Sequence, residues 1–498
     1  MDHDACYRVL ATRDARFDGR LFVAVKTTGI YCRPICPART PKQENVLFFP
    51  TAAAAQGAGF RPCLRCRPET SPDLAAWRGT SNTVSRALAL IESGALDASD
   101  VEGLADRLGV GARQLRRLFR QHLGASPVAV AQTRRVLLAK QLIHETHLPM
   151  AQVALAAGFG SVRRFNETFQ QLFRRPPASL RRRGSQDRPN ESGEAIKLTL
   201  GYRPPYDWDA MLAFLALRAI PGVEVVRGET YVRAIAFGED CGVIAVRPLA
   251  ANKVGVSVRF PKVSALAAII ARVRRVFDLA ADPAIIGAQL SADADLARMV
   301  AARPGLRVPG AWDGFELAIR AILGQQITVA AARGLAGKLV AAHGRPLPRP
   351  LAAQGLTHVF PGPAQLAGAD FAALGMPKSR AAALAALTRA VLADPTIFGP
   401  RRSLDDAVAR LKSLSGIGEW TAQYIAMREL REPDAFPAAD IGLMRALAGP
   451  DGRRPTPAEL LARAEAWRPW RAYAALHLWA SDAHAVAKQE KTDARHAA

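Results

Sequence analysis

The chain has 498 residues, of which 49% are apolar, so it can bury large cores, and its length suggests roughly three domains. Its 67 Lys and Arg outnumber 44 Asp and Glu, and the net charge of +23 predicts a polyanionic partner, most simply nucleic acid. The first residues have no signal-peptide pattern, and no apolar run is long enough to span a bilayer. These features exclude a membrane protein, and we expect a cytoplasmic one.

Two close cysteine pairs mark the first block of the chain, residues 1–75. Cys32 and Cys36 are separated by three residues, and Cys63 and Cys66 by two. Each pair can chelate a metal from one turn, and together the pairs complete a tetrahedral zinc site. Within this block, RLFVAVKTTGIYC alternates apolar and β-branched residues as a strand does. Because most four-cysteine sites are structural, the spacing of the cysteines alone leaves open a zinc site that only stabilises the fold.

Arginines flank both cysteine pairs. Arg33 and Arg39 lie beside the first pair, and Arg61, Arg65 and Arg67 lie beside the second. Their charge favours an anionic ligand next to the metal. A zinc-bound thiolate stays deprotonated and can attack an electrophilic carbon.

The stretches FDGRLFVAVKTTGIYCRPICPART, QENVLFF and AAGFRPCLRCRPE resemble the N-terminal domain of Ada DNA-alkylation response proteins across residues 1–75. The resemblance implies a small α/β domain with one Zn²⁺ bound by Cys32, Cys36, Cys63 and Cys66. It also implies that Cys32 irreversibly accepts a methyl group from a DNA methylphosphotriester. Methylation would remove one negative charge and so act as an electrostatic switch for DNA binding.

One feature of long Ada proteins is missing from this sequence. Their alkylguanine methyltransferase site has the motif Pro-Cys-His-Arg, which does not occur here. Cys241 lacks such neighbours, and we expect it to be a buried small residue, while Cys6 is incidental.

Residues 80–183 are predicted to be helical and contain an internal repeat. LADRLGVGARQLRRLFRQHLGASP (Leu104–Pro127) and VALAAGFGSVRRFNETFQQLFRRPP (Val153–Pro177) each read as helix, glycine turn and longer helix. The second copy resembles the double helix-turn-helix domain of AraC-type regulators, which implies an all-α domain with two recognition helices in successive major grooves. The expected DNA contacts are Arg113, Arg116, Arg117, Arg163, Arg164 and Asn166.

A polar stretch, residues 184–195, has little to bury and is predicted to be a linker. Beyond it, VIAVRPL and VGVSVRF read as strands, and long Ala/Leu-rich helices follow. We therefore expect an α+β domain at 196–300 and a mainly helical domain at 301–498, which makes the chain a multidomain α+β protein.

The segment LSGIGEWTA predicts two helices joined by a hairpin with Gly416 and Gly418, which would let backbone N–H groups approach a DNA phosphate. Asp440 follows about 20 residues on. This arrangement resembles the helix-hairpin-helix base-excision glycosylases. Where relatives with lyase activity have a lysine, this chain has Trp420, so a monofunctional enzyme is implied. No cysteine follows Cys241, so we expect no iron–sulfur cluster.

LGYRPPYDWDAMLAFLALRAIPGVE, AARPGLRVPGAWDGFELAIRAILGQQIT and RPWRAYAALHLW resemble AlkA-type 3-methyladenine DNA glycosylases across about residues 196–487. The resemblance implies a catalytic Asp440, a base pocket of Trp420, Tyr424, Trp479 and Gln325, and a duplex wedge at Gln326. Helix capping by Asp440 and core packing of the aromatic residues remain open as alternatives.

Together these features predict a fused alkylation-response protein. It would irreversibly accept a methyl group from DNA methylphosphotriesters on Cys32, which would switch on sequence-specific DNA binding and activation of transcription. It would also hydrolyse the N-glycosidic bond of alkylated purines such as 3-methyladenine. Its partners would be alkylated and promoter DNA and RNA polymerase, with the chain a nucleoid-associated monomer. One alternative is a transcription regulator with zinc-stabilised DNA-binding domains and an inactive glycosylase-like clamp. Another is a zinc-stapled nucleic-acid-binding protein without methyl transfer.

Overall fold

A computed structural model describes residues 2–72, 82–181, 195–352, 355–401, 403–449 and 451–482. The chain divides into two units. The first contains Met1–Tyr202, Ile235–Arg274 and Leu279–Ala281, and the second contains Arg203–Ala234, Arg275–Asp278 and Asp282–Ala498. Within the described ranges, every helix is too short or too polar to cross a bilayer.

The cysteine-bearing block of the first unit combines a mixed sheet with two helices. Its elements are α1 (His3–Ala11), β1 (Phe22–Val25), β2 (Ile30–Cys32), β3 (Val46–Phe49), α2 (Ala52–Gly57) and β4 (Arg61–Pro62). The strand order is β3-β1-β2-β4, in which β2 and β4 are parallel and the other neighbours are antiparallel. The segment predicted as one strand is a hairpin, because residues 26–29 turn and Gly29 has a φ of +65°.

Alternation along β1 places its side chains on both faces of this sheet. Phe22 and Ala24 pack with Tyr31 and with Ala55 of α2. Val23 points to the other face and packs with Leu10 of α1. The two helices therefore cover opposite faces, and this small core supports the end of β2.

Seven α-helices lie in the described residues 82–181 of the first unit, within the block that the sequence predicted to be helical. They are α3 (Asn82–Glu92), α4 (Ala95–Ala98), α5 (Val101–Leu108), α6 (Ala112–Leu123), α7 (Pro127–Glu145), α8 (Met150–Ala156) and α9 (Val162–Phe173). Helices α5 and α6 form the first helix-turn-helix, and α8 and α9 form the second. The 19-residue helix α7 joins them.

The two recognition helices bury corresponding side chains. Leu115, Phe119 and Leu123 are buried in α6, and Phe165, Phe169 and Phe173 are buried in α9. The pairs 115 and 165, 119 and 169, and 123 and 173 share one offset of 50 positions. The repeat is thus structural, since each helix buries one face at i, i+4 and i+8 and exposes the other.

The remaining strands and helices up to position 276 belong to the segment predicted as α+β. They are β5 (Ile196–Gly201), α10 (Trp208–Arg218), β6 (Glu224–Arg227), β7 (Thr230–Phe237), β8 (Asp240–Leu249), β9 (Lys253–Arg259) and α11 (Leu266–Val276). In the first unit, β9 pairs antiparallel with both β5 and β8. In the second unit, β6 and the start of β7 form a hairpin. Cys241 is half-buried at the start of β8, so its predicted core position is wrong.

The second unit is otherwise mainly helical. Its elements are α12 (Pro283–Leu290), α13 (Ala294–Ala302), α14 (Gly314–Leu323), α15 (Val329–His343), β10 (Arg345–Pro346), β11 (His358–Val359), α16 (Pro363–Leu366), α17 (Lys378–Ala393), α18 (Leu404–Lys412), α19 (Glu419–Arg428), α20 (Ile441–Ala446) and α21 (Pro457–Ala464). Residues 471–482 are also helical. Every residue of α14 except Arg320 is buried, and its Glu316 pairs with Arg233 and Arg320.

Most of the predicted linker, residues 184–194, lies outside the described residues, and only Ala195 is described.

The two glycines of the hairpin between α18 and α19 differ in their constraints. Gly416 has a φ of +83°, and a Cβ there would lie 2.3 Å from Ala383 Cβ. Gly418 has a φ of −84°, and a Cβ there would meet nothing within 4 Å. We therefore expect Gly416→Ala to destabilise the protein by about 1–3 kcal/mol through strain and overpacking.

The matched variant Gly418→Ala should cost less than about 1 kcal/mol, since only its helix-cap preference changes. Thermal unfolding of the two variants measures the difference. Equal losses of stability would contradict this account of the hairpin.

Candidate metal centre and nucleic-acid interface

Strand pairing brings the two cysteine pairs together. In the parallel ladder of β2 and β4, Ile30 lies opposite Arg61 and Tyr31 opposite Pro62. The next residues, Cys32 and Cys63, are therefore adjacent. The four sulfur atoms of Cys32, Cys36, Cys63 and Cys66 all lie within 4.8 Å of one another.

This geometry fits zinc. Tetrahedral zinc with Zn–S bonds of about 2.3 Å needs four sulfur atoms at such spacing, and thiolate is a preferred zinc ligand. Without a cation the thiols compete for protons. Hydrogen bonding to Cys36, Cys63 and Cys66 raises the pKa of Cys32, whereas hydrogen bonds from Cys32, Cys36 and Cys66 lower the pKa of Cys63. A divalent cation lets all four ionise together, so the cluster holds one Zn²⁺.

The four ligands differ in their surroundings. Cys32 is half-buried, and Cys36, Cys63 and Cys66 are buried. The backbone N–H of Arg33 donates to Cys66 Sγ at 3.4 Å, and that of Arg65 donates to Cys63 Sγ at 3.3 Å. Such hydrogen bonds stabilise thiolate charge and make those sulfur atoms weaker nucleophiles.

Two of the flanking arginines do not offer a phosphate site. Arg33 is turned inward, where its Nε donates to Asp18 at 2.8 Å and a terminal nitrogen donates to Thr70 at 2.8 Å. Arg67 pairs with Glu69 at 3.0 Å and with Glu145 at 2.5 Å. The expectation that all five arginines favour an anion is therefore wrong for these two, whose charge is already neutralised. Arg39 and Arg65 are exposed, and Arg61 is half-buried.

The six residues predicted to contact DNA all lie on the exposed faces of α6 and α9. They are Arg113, Arg116, Arg117, Arg163, Arg164 and Asn166. Arg116 pairs with Glu102 at 2.6 Å, and Arg163 pairs with Glu167 at 2.8 Å. These exposed pairs contribute little stability, so both guanidinium groups can exchange their partners for phosphate.

The hairpin between α18 and α19 is tied to the segment that carries the two predicted glutamines. Gln325 Nε2 donates to the Gly416 carbonyl at 2.9 Å and to Thr421 Oγ1 at 3.3 Å. Gln326 is exposed with a φ of +57°, a conformation that is strained for a residue with a Cβ. Gln325 thus anchors the hairpin, and Gln326 projects from the surface.

Asp440 is held by three hydrogen bonds. Its Oδ2 accepts from Trp420 Nε1 at 2.8 Å. Its Oδ1 accepts from Trp479 Nε1 at 2.9 Å and from the Leu443 backbone N–H at 3.1 Å. The helix-capping alternative is therefore correct in part, because Asp440 is the N-cap of α20. A cap needs no indole partners, however, and two tryptophans position this carboxylate.

A row of contacting side chains along α19, which we call the ladder, runs from Trp420 through Tyr424 to Arg428 and extends this arrangement. Trp420 stacks on Tyr424, with ring centroids 5.0 Å apart and planes at 12°. The Tyr424 hydroxyl accepts from Arg428 Nη1 at 2.5 Å. Burial opposes ionisation of this phenol, but the charges of Arg428 and Arg218 outweigh it and lower the pKa of Tyr424. The sequence analysis missed Arg428, although its i, i+4 spacing from Tyr424 was visible.

Comparison with known proteins establishes the family. A Mycobacterium tuberculosis H37Rv protein named "Probable bifunctional transcriptional activator/DNA repair enzyme AlkA" is 42% identical over 490 residues, 97% of each chain. The present chain belongs to the family of this bifunctional transcriptional activator and DNA repair enzyme. Escherichia coli DNA-3-methyladenine glycosylase 2 is 38% identical over 288 residues, which cover 56% of this chain and 96% of that enzyme.

Four family models match successive parts of the chain. They are the metal binding domain of Ada (5–69), a helix-turn-helix domain (104–183), the AlkA N-terminal domain (197–313) and the HhH-GPD superfamily of base excision DNA repair proteins (319–472). A 3-methyladenine DNA-glycosylase from Archaeoglobus fulgidus has the same fold over 57% of this chain and 97% of its own, with a TM-score of 0.51 and 21% identity. The predicted fold class and the Ada-type, helix-turn-helix and AlkA-type resemblances are confirmed.

We expect the purified protein to contain one Zn²⁺ per chain and to lose it when Cys36 is replaced by Ala, because three thiolates no longer complete the tetrahedron. Elemental analysis and thermal unfolding after chelation measure metal content and its stabilising effect. Cys6→Ala is the matched control, since Cys6 is also buried but lies outside the cluster. Metal-free wild-type protein with undiminished stability would contradict the site.

Proposed function

We propose that this chain is a bifunctional repair protein and regulator. Cys32 accepts a methyl group from DNA methylphosphotriesters, and Asp440 serves a glycosylase that removes alkylated purines such as 3-methyladenine. The proposed domains are an acceptor domain at 1–75, a regulator domain at 80–183, and a glycosylase made of 196–300 and 301–498. Alkylated DNA and promoter DNA are the two kinds of nucleic-acid partner.

The observation that carries the acceptor function is the asymmetry of the four-cysteine cluster. Cys32 is half-buried, whereas the other three sulfur ligands are buried. Zinc, when bound, keeps the thiols deprotonated at neutral pH. The Cys32 sulfur then attacks the methyl carbon, a C–S bond forms, and the C–O bond to the phosphotriester breaks. The electron pair of that bond stays on the phosphate oxygen, which restores an anionic phosphodiester.

Methyl transfer changes the charge of the acceptor domain. A thiolate becomes a neutral thioether, so the protein surface loses one negative charge and repels phosphate less. The exposed residues of α6 and α9 then bind promoter DNA, with their arginines neutralising phosphates and their polar groups reading bases. We further propose that this DNA-bound form contacts RNA polymerase, and that the chain acts as a nucleoid-associated monomer.

The observation that carries the glycosylase function is the Asp440 carboxylate held between two indole N–H groups. An alkylated purine carries positive charge, and the half-buried rings of Trp420, Tyr424 and Trp479 suit it through stacking and cation–π attraction. The bond from base to C1′ breaks with its electrons on the base, which leaves neutral. Asp440 stabilises the developing sugar cation, and water adds to C1′ and gives up a proton.

The hairpin and the two neighbouring glutamines make two further contributions to base extrusion. The N-terminus of α19 at Gly418 presents backbone N–H groups to a DNA phosphate without obstruction from a side chain. Gln326 fills the gap left in the duplex, and Gln325 lies beside the extruded nucleotide.

After incubation with DNA carrying methylphosphotriesters, we expect one added methyl group per chain, located on Cys32. Mass spectrometry of the digested protein locates it. Cys32→Ala should take up none, and Cys6→Ala should take up one. A methyl group on another residue, or none on the wild-type chain, would reduce the cluster to a structural zinc site.

Asp440→Asn should slow release of 3-methyladenine from methylated DNA by roughly 10²-fold or more, because the charge that stabilises the sugar cation is lost. Asn is as good an N-cap as Asp, so α20 and DNA binding should persist. Chromatography of released base and binding to undamaged duplex give the two measurements.

Unchanged base release by the variant would remove Asp440 from the mechanism. A wild-type protein that binds DNA but frees no base would instead support the inactive clamp.

A further inference from the structure

Lys140 is a buried cation on α7 that reaches the zinc-binding loop, which is the segment from Cys63 to Cys66. Its side chain is 0% exposed. Its Nζ donates to the carbonyl of Cys63 at 2.8 Å and to Glu69 Oε2 at 2.5 Å. A buried ammonium is costly unless it is fully paired, so removing either partner would leave an uncompensated charge. The helix between the two helix-turn-helix motifs is therefore bonded to the backbone of a zinc ligand.

The ion pair is part of a longer network in the first unit. Glu69 also pairs with Arg67 at 3.0 Å, and Arg67 pairs with Glu145 of α7 at 2.5 Å. Glu145 Oε2 in turn accepts from the backbone N–H of Thr199 in β5 at 2.9 Å. Two positions of α7 thus hold the segment that follows Cys66, and one of them also holds β5.

The acceptor domain contacts the first recognition helix as well. Thr51, which caps α2, donates through Oγ1 to the Leu123 carbonyl at the end of α6 at 2.8 Å. A cavity of about 220 Å³ lies beside this contact, lined by residues such as Phe22, Thr133 and Leu137. The cavity is partly open to solvent and borders α7 through Thr133 and Leu137, so this side of the helix is not fully covered by other elements.

Methylation changes the charge that Lys140 faces. Four thiolates and Zn²⁺ carry a net charge of −2, and a thioether in place of one thiolate leaves −1. The attraction between the ammonium and the cluster weakens at low local dielectric, where such differences count most. The change acts directly on α7, which carries a helix-turn-helix at each end.

We propose that Lys140 is a positioning residue that couples the zinc centre to the DNA-reading helices: it holds the Cys63–Cys66 loop from α7 and passes the methylation signal to both recognition helices. This inference rests on the proposed methyl-acceptor function and deepens its regulation. The switch then has two parts, a direct change in repulsion of phosphate and a shift of α7.

The test is the double variant Lys140→Met with Glu69→Gln. It removes both charges of the pair, leaves the net charge unchanged, and avoids an isolated buried ion. The probe is the duplex that methylated wild-type protein selects from a random-sequence pool. The measured quantity is the ratio of dissociation constants before and after methylation of Cys32. We expect the variant to bind zinc and take up one methyl group, while this ratio falls about fivefold or more below the wild-type ratio.

Gln141→Met is the matched control. Gln141 neighbours Lys140 on α7, and its amide donates to the Thr199 carbonyl at 2.7 Å and to Glu145 Oε2 at 3.0 Å. Its replacement therefore perturbs the Glu145 end of the network but leaves the Lys140–Glu69 pair in place. It should keep the wild-type ratio. A double variant that also keeps the wild-type ratio would overturn the coupling, and only the direct electrostatic part would remain. Wild-type protein that gains no methyl group on Cys32 would overturn the proposed function itself, and the coupling with it.

Hydrogen exchange of the wild-type protein decides the question if the double variant does not fold. We expect methylation to change the exchange rates of α7 amides around Lys140, because the helix loses part of its anchor. Identical α7 protection before and after methylation would overturn the proposal.

Discussion

Repulsion between four thiolates crowded within 4.8 Å is the constraint on which the acceptor domain depends. The parallel pairing of β2 with β4 forces this crowding, and one divalent cation relieves it. One Zn²⁺ does not neutralise four thiolates completely, so the centre keeps a net negative charge that acts on neighbouring charged groups. In the proposed switch, an approaching phosphate and Lys140 both respond to this charge, so removal of one negative charge by a methyl group acts on both.

The same principle of neutralisation explains which arginines remain available. Arg33 and Arg67 lie beside the cysteines in sequence, yet both are neutralised by carboxylates within the fold. Among the exposed arginines of α6 and α9, Arg116 and Arg163 form ion pairs at the surface. Such exposed pairs are weak, so binding to phosphate can replace them at little cost. The strong positive charge of the chain is therefore divided between internal structure and DNA binding.

In the second unit, the glycosylase function that we propose requires a carboxylate that stays charged beside a cationic base. Hydrogen bonds from Trp420 and Trp479 orient Asp440 without adding a cation that would neutralise it. The arginine that the ladder does contain, Arg428, is placed at the far end, on the Tyr424 hydroxyl. Asp440 and Arg428 thus bind opposite ends of the Trp420–Tyr424 stack, and in the proposed function these rings supply the stacking surface.

Local pattern in the sequence determined the cysteine pairs, the helix-turn-helix repeat, the glycine hairpin and Asp440, because each depends on residues close together in the chain. The hairpin form of the first strands was missed, since the turn at Gly29 is set by a positive φ that alternation does not reveal. Pairings over long separations could not be read: Arg33 with Asp18, Lys140 with Glu69, and the two indoles on Asp440. Only tertiary structure decided these, because burial compels a charged or polar group to find a partner, and the fold alone determines which partner is within reach.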